Sequence, residues 1–177
     1  RQMCIRDRSY MNIQKVRYKN TFSVIFDVQP ELYEYCIVKL VLQPILENAI
    51  NYGVGSMDDC GEIKVTGRMQ GENIILSVTD NGLGMTEEEV DLILTDSKRI
   101  RKHGSGVGLV NVNNRIQILF GKEYGLVVES EPDEGTTVSI CIPAVLYTED
   151  NREDLEKGRM FRKEETAKEV QVKRDDE

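Results

Sequence analysis

The stretch from Gln43 to Asn51 reads QPILENAIN. It ends a longer segment, Tyr33 to Asn51, in which apolar residues recur at helical spacing, and we predict a helix there. Pro44 removes one backbone donor, so a kink or a junction of two helical segments is expected near Gln43. Asn48 is a carboxamide inside this otherwise apolar helix. An isolated Asn of this kind more often bonds the nearby backbone than a ligand.

A second stretch, VTDNGLGM, runs from Val78 to Met85 and follows a predicted strand that ends in Asp80. A carboxylate aimed into a pocket can accept the exocyclic amine of adenine, which a guanine carbonyl would not satisfy. Gly82 and Gly84 allow a tight turn and close approach of the backbone. Taken alone, the Asp-Asn-Gly sequence also fits an Asx turn at the end of a strand.

A third stretch, GSGVGL from Gly104 to Leu109, lies between a basic loop and a helix predicted over Val107 to Phe120. Backbone amides and the helix dipole at such a junction favour anionic oxygens. The rival interpretation is a dinucleotide fingerprint, which requires a strand directly before the glycines. Because a basic loop occupies that position, the dinucleotide interpretation is disfavoured.

In the rest of the chain, alternating apolar residues predict strands, most of which come in hairpin pairs. A helix capped by Thr86, with apolar residues at Val90, Leu92, Ile93 and Leu94, separates the two pairs. The fold class expected is an α/β sandwich, with a mixed, largely antiparallel sheet covered on one face by helices. The predicted strands are Thr21–Val28, Gly61–Met69, Asn73–Thr79, Tyr124–Ser130 and Thr136–Ile142.

Composition narrows the class of protein. The chain has 177 residues, is 40% hydrophobic and carries a formal net charge of −8. A general nucleic-acid binder would carry a basic face, so no nucleic-acid partner is expected. The four cysteines are scattered and indicate free thiols in a reducing compartment. No apolar run is long enough to span a membrane, and we expect a soluble, intracellular segment without membrane contact.

Three divisions of the chain are expected. Residues 1–20 are interpreted as a possible non-native start followed by the end of a dimerisation helix. Residues 21–146 form the folded domain, and residues 147–177 form a charged tail, helical or disordered.

In this order, the three stretches resemble the catalytic ATP-binding domain of sensor histidine kinases. This is the Bergerat ATPase fold shared with type II topoisomerases, Hsp90 and MutL. From Gly106 the sequence GVGLVNVNNRIQILFGKEYGLVVESEPDEGTTVSICIPA is similar to the end of LytS/YesM-type sensor kinases. The resemblance covers about Tyr10 to Ala144. Its motifs are specific when they occur in combination.

The resemblance implies a site for ATP and Mg²⁺. Asn48 would be the magnesium ligand, Asp80 the adenine-binding carboxylate and Thr136 a support of the adenine pocket, while Glu47 is a candidate catalytic base. The ATP-binding residues implied are Asn48, Asn51, Tyr52, Asp80, Gly82, Gly84, Met85, Gly104, Gly106, Val107, Gly108, Leu109 and Thr136.

The sequence departs from the family pattern at two positions. Pro44 stands where the topoisomerase and Hsp90 branches carry a water-activating glutamate, which favours phosphoryl transfer over hydrolysis. Asn51 stands where a histidine or basic residue is common, which leaves open whether the grip on phosphate is reduced. His103, the only histidine, lies in the loop that resembles the ATP lid and is not expected to be the phosphoacceptor.

The function implied is that of a two-component sensor kinase domain. It would transfer the γ-phosphate of ATP to a histidine on a dimerisation helix missing from this chain, so the chain alone would not autophosphorylate. Partners would be that helix and a downstream response regulator, in a full-length protein anchored in the membrane. The alternative is a non-catalytic nucleotide-sensing or protein-interaction module of the same fold. A serine kinase of the anti-sigma type is a third option, disfavoured by the C-terminal half.

Overall fold

The fold is given by a computed structural model that describes residues 22–35, 41–56, 61–95, 107–146 and 148. Within those ranges, no helix is both long and apolar enough to cross a membrane. The elements in chain order are β1 (Phe22–Val28), a 3-10 turn (Pro30–Glu34), α1 (Leu42–Asn48), a π-helical turn (Ala49–Gly53), a 3-10 turn (Val54–Ser56), β2 (Gly61–Gln70), β3 (Asn73–Asp80), α2 (Glu87–Thr95), α3 (Val107–Phe120), β4 (Gly125–Glu131) and β5 (Gly135–Pro143).

Five strands of the described ranges form one sheet in the order β1-β2-β3-β5-β4. β1 pairs with β2 in parallel, whereas the three other pairs are antiparallel. β2 and β3 form a tight hairpin, in which Gly71 adopts a left-handed φ of 61°. The predicted mixed, largely antiparallel sheet is therefore confirmed.

The core lies between one face of the sheet and the helices. Side chains of β3 alternate, so that Ile74, Leu76 and Val78 are buried while the residues between them are only half-buried. The buried apolar residues of α1 and α3 belong to the same cluster. On the opposite face, hydroxyl pairs link β3 to β5, with 2.8 Å between the Oγ atoms of Ser77 and Ser139. The apolar and hydroxyl-bearing faces confirm helices on one side of the sheet.

The first predicted helix is wrong at its start. Pro30 starts a single 3-10 turn, and Tyr35 is extended, with φ −94° and ψ 154°, because it forms a β-bridge with Leu146. After residues 36–40, which lie outside the described ranges, α1 begins at Leu42. Pro44 then falls in the first turn of α1, where a missing N–H costs no intrahelical bond.

The later elements match their predictions closely. α3 spans the predicted residues, and each strand agrees within one position at either end. In α2, Ile93 is buried and Val90 half-buried, but Leu92 is 37% exposed because the helix presents only one stripe to the core. The expectations for residues 1–20, Gly104, Gly106 and most of the C-terminal tail lie outside the described residues.

Candidate functional site

Asp80 ends β3 with a carboxylate that is only 3% exposed. In the sheet register it lies opposite Thr136 of β5. The Gly82 N–H donates to its Oδ1 at 3.0 Å, and the Thr136 N–H also donates to the carboxylate. Burial raises the pKa of Asp80 to about 6, although these two hydrogen bonds act in the lowering direction. The site thus contains a buried acceptor held by backbone donors.

Glycine backbones surround Asp80 more closely than side chains would allow. A Cβ built on Gly53 would lie 2.5 Å from the Asp80 carboxyl carbon. A Cβ on Gly82 would lie 2.4 Å from the Gly53 Cα, and one on Gly135 would lie 2.0 Å from the Asp80 carbonyl oxygen. These contacts bring together the π-helical turn after α1, the loop Asp80–Met85 (the DNGLGM loop) and the start of β5.

Gly53 and Gly135 were missed as site residues from the sequence. Gly53 is the last residue of the π-helical turn that follows Asn48. A π-helical turn often marks a functional position, because it realigns the backbone. The available signal for Gly135 was its position directly before Thr136.

The hairpin between β4 and β5 forms a second wall of the site. Glu134 N–H donates to the Glu131 carbonyl at 3.1 Å, and Asp133 takes a left-handed φ of 64° between them. The Asp133 N–H then donates to the Leu83 carbonyl at 2.7 Å. A Cβ on Gly84 would lie 1.9 Å from the Glu131 carbonyl oxygen. The DNGLGM loop is therefore fitted against the hairpin.

Ser130 of β4 was not predicted to belong to the site. Its Oγ accepts a hydrogen bond from the Met85 N–H at 2.9 Å and donates to the Gly135 carbonyl at 2.7 Å. The same atom lies 2.9 Å from the Oγ1 of Thr136. In the sequence Ser130 resembles an ordinary strand residue, and only the register of β4 and β5 brings it to Thr136.

A cavity of about 760 Å³ opens beside these groups. Asp80, Thr136 and Ser130 line it together with Val90 of α2. Several carboxylates also line the cavity, on the start of α2 and on the hairpin: Glu87, Glu129, Glu131 and Glu134. A neutral group with hydrogen-bond donors fits this lining better than an anion does.

Asn48 and Glu47 occupy the last turn of α1. Asn48 is 8% exposed, and Glu47 is half-buried and accepts a hydrogen bond from Gln43 Nε2 at 2.9 Å. Among the described residues, no group of three or more His, Cys, Asp or Glu side chains is arranged to hold a metal. The oxygen of Asn48 suits Mg²⁺, which commonly takes one or two protein ligands and completes its shell with phosphate oxygens and water.

Asn51 and Tyr52 lie on the π-helical turn after α1, and Gly108 and Leu109 lie in the first turn of α3. Asn51 and Tyr52 are exposed on the π-helical turn, Tyr52 by 44%. A Cβ on Gly108 would lie 3.3 Å from the Cβ of Pro44, so the N-terminus of α3 meets the first turn of α1. Leu109 is 1% exposed and belongs to the core.

Comparison with known proteins agrees with this geometry. Residues 37–146 match the family described as histidine kinase-, DNA gyrase B-, and HSP90-like ATPase. The chain is 38% identical over 136 residues to the Bacillus subtilis protein YwpD, covering 76% of the chain and 46% of YwpD. It is 34% identical over 137 residues to the B. subtilis sensor histidine kinase YesM, covering 77% of the chain and 22% of YesM.

The chain is also similar to a third bacterial relative and to a solved catalytic domain. The Staphylococcus saprophyticus sensor protein LytS is 33% identical over 135 residues, covering 76% of the chain and 22% of LytS. The chain thus spans less than half the length of each of these relatives. Among solved structures, the nucleotide-free catalytic domain of histidine kinase ThkA superposes with a TM-score of 0.59 at 22% identity, covering 80% of the chain and 90% of that domain.

Proposed function

The chain belongs to the histidine kinase-, DNA gyrase B- and HSP90-like ATPase family, and we propose that it is the Mg-ATP-binding catalytic domain of a two-component sensor histidine kinase. In this proposal residues 21–146 bind ATP and transfer its γ-phosphate to a histidine on a dimerisation helix. A response regulator then receives the phosphate. The domain acts on the cytoplasmic side of a membrane-anchored sensor.

The surroundings of Asp80 carry this proposal. Its buried carboxylate, fixed by the N–H groups of Gly82 and Thr136, is an acceptor suited to the amine of adenine. A Cβ on Gly53 would meet this carboxylate, one on Gly82 would meet the Gly53 backbone, and one on Gly135 would meet the Asp80 carbonyl oxygen. The carboxylate is therefore held in a preformed setting of closely packed backbone beside the cavity.

Charge supports one orientation of the nucleotide. The carboxylates that line the cavity disfavour a triphosphate beside the β4–β5 hairpin. The N-terminus of α3 abuts the first turn of α1 at Pro44 and offers amide donors and the positive end of the helix dipole. We place the phosphates there, with Asn48 as the Mg²⁺ ligand. The metal supplies charge neutralisation for the phosphates.

The first turn of α1 supports transfer over hydrolysis. Pro44 cannot act as the general base that a water-attack mechanism needs. Glu47, in the last turn of α1, accepts one hydrogen bond from Gln43 and keeps lone pairs for a proton, so it stays the candidate catalytic base. The chain also positions and neutralises the γ-phosphate, while the acceptor histidine comes from the partner helix.

A phosphotransfer assay separates this function from a non-catalytic nucleotide-binding module. The chain is incubated with γ-labelled Mg-ATP and a histidine-bearing dimerisation fragment of a sensor kinase relative such as YesM. We expect label on the fragment with wild type and none with Asn48→Ala. Nucleotide binding without transfer, when the relative's own catalytic domain labels the same fragment, would favour the non-catalytic module.

A further inference from the structure

One hydroxyl, that of Ser130, joins three parts of the candidate adenine pocket. It lies 2.9 Å from the Met85 nitrogen on the DNGLGM loop. It lies 2.7 Å from the Gly135 carbonyl oxygen and 2.9 Å from the Thr136 hydroxyl, both on β5. Ser130, Thr136 and Asp80 all line the same cavity.

Counting protons fixes the direction of each hydrogen bond. A serine hydroxyl has one proton to donate and two lone pairs that accept. The Gly135 carbonyl can only accept, so it receives the Ser130 proton. The Met85 N–H takes one lone pair of Ser130, which leaves one lone pair facing Thr136. Thr136 must therefore donate its own proton to Ser130.

This direction decides what Thr136 can offer a ligand. With its proton committed to Ser130, the Thr136 hydroxyl presents only lone pairs to the cavity. Its neighbour across the β3–β5 register, Asp80, is also an acceptor. A ligand edge with a donor satisfies both groups, whereas a carbonyl at the same place meets lone pairs.

We propose that Ser130 is a positioning residue: it holds the Thr136 hydroxyl as an acceptor and so makes the pocket select a 6-amino purine over a 6-carbonyl purine. This inference rests on the proposed ATP-binding function. Without the Ser130 hydroxyl, the Thr136 proton loses its acceptor and can be donated to a carbonyl on the base.

Calorimetric titration of the full chain with Mg-ATP and Mg-inosine triphosphate tests the inference. The quantity of interest is the ratio of the two dissociation constants, because general loosening of the pocket weakens both ligands. We expect Ser130→Ala to reduce the preference for ATP by about tenfold. Ser130→Thr, which keeps a hydroxyl, should retain the wild-type ratio.

Two controls isolate the effect. Ser139→Ala removes a hydroxyl pair of similar length from β5, on the face of the sheet away from the core, and should leave the ratio unchanged. In a Thr136→Val background, adding Ser130→Ala should change the ratio no further, since both substitutions act through the same hydroxyl. If Ser130→Ala does not fold, Ser130→Cys carries the same prediction, because a thiol is a weak hydrogen-bonding group.

The outcomes for the two proposals are distinct. A preference for ATP that persists in folded Ser130→Ala or Ser130→Cys would overturn the role of Ser130 and leave the ATP site intact. Wild-type protein that binds neither nucleotide would overturn the ATP site itself.

Discussion

At the scale of single residues, Asp80 lowers the stability of the ligand-free protein. Its pKa in the folded protein is about 6, above the ordinary value of 3.8, because the carboxylate is buried. Between these two values the folded state retains a proton that the unfolded state has released. The free energy of unfolding therefore falls as pH rises from about 4 to about 6 and stays reduced above that.

We predict that Asp80→Asn stabilises the ligand-free protein at neutral and alkaline pH. The neutral amide removes the cost of burying a charge, so the gain in unfolding free energy should be ~2 kcal/mol larger at pH 8 than at pH 4.5. Urea unfolding at both pH values measures the difference. A gain that is equal at the two pH values would contradict the assignment of a raised pKa to Asp80.

Gly84 provides a second residue-scale prediction with a matched control. Gly84 and Gly71 have nearly the same left-handed φ, 64° and 61°. A Cβ on Gly71 would meet no atom within 4 Å, whereas one on Gly84 would lie 1.9 Å from the Glu131 carbonyl oxygen. Gly71→Ala should cost about 1 kcal/mol, the strain of the left-handed conformation alone.

Gly84→Ala should cost at least ~2 kcal/mol more than Gly71→Ala, because the loop must move away from the hairpin. It should also weaken ATP binding, which Gly71→Ala should not. Thermal unfolding and ATP titration of both variants measure these effects. Equal stability of the two variants would show that the loop and the hairpin are not fitted together.

Sequence motifs predicted part of this site and could not predict the rest. Asp80 and Gly82 belong to one short motif, and their proximity follows from the chain itself. Gly53, Ser130 and Gly135 act through contacts with segments distant in sequence. Their roles depend on strand register and on the close approach of two backbones, and neither leaves a local pattern.

At the scale of elements, α2 is held at its start by a capping box. Glu89 N–H donates to the Thr86 Oγ1 at 3.3 Å, while the Thr86 N–H donates to Glu89 Oε2 at 2.9 Å. The pair satisfies two backbone donors at the helix start. The sequence predicted Thr86 as the cap because a threonine followed by glutamates in the first turn of a helix is a local signal.

We predict that Thr86→Ala lowers the free energy of unfolding by about 1 kcal/mol. Glu88→Ala is the control, since Glu88 lies in the same first turn and is exposed. It should cost only a few tenths of a kcal/mol through the helix dipole. Urea unfolding of the two variants compares them. A loss in Glu88→Ala as large as that in Thr86→Ala would indicate that dipole interactions, and not the cap, hold the helix start.

The elements that the sequence failed to predict are short turns with tertiary causes. The 3-10 turn at Pro30–Glu34 ends where Tyr35 bridges to Leu146, a contact across more than a hundred residues. The π-helical turn at Ala49–Gly53 brings Gly53 against Asp80. Apolar periodicity alone extends a regular helix through both places, because it carries no information about those contacts.

At the scale of the whole molecule, the candidate site combines the centre of the sheet, the β4–β5 hairpin and the ends of two helices. A ligand that binds this assembly binds only the folded state, so it must stabilise the protein by mass action. At a free Mg-ATP concentration of 100 times Kd, the free energy of unfolding should rise by ~2.7 kcal/mol. Urea unfolding with and without nucleotide measures the rise. No rise at that concentration would mean that nucleotide binds outside the cooperative fold.

Calorimetric titration of ATP, with and without Mg²⁺, tests the central claim most directly, because it measures whether the pocket around Asp80 binds the nucleotide. The variants are Asp80→Asn and, as a matched control, Asp27→Asn, in which the carboxylate lies on β1 and pairs with Arg68. We predict magnesium-dependent binding in wild type and in Asp27→Asn, and none in Asp80→Asn. Absence of binding in wild type, or undiminished binding in Asp80→Asn, would contradict the account.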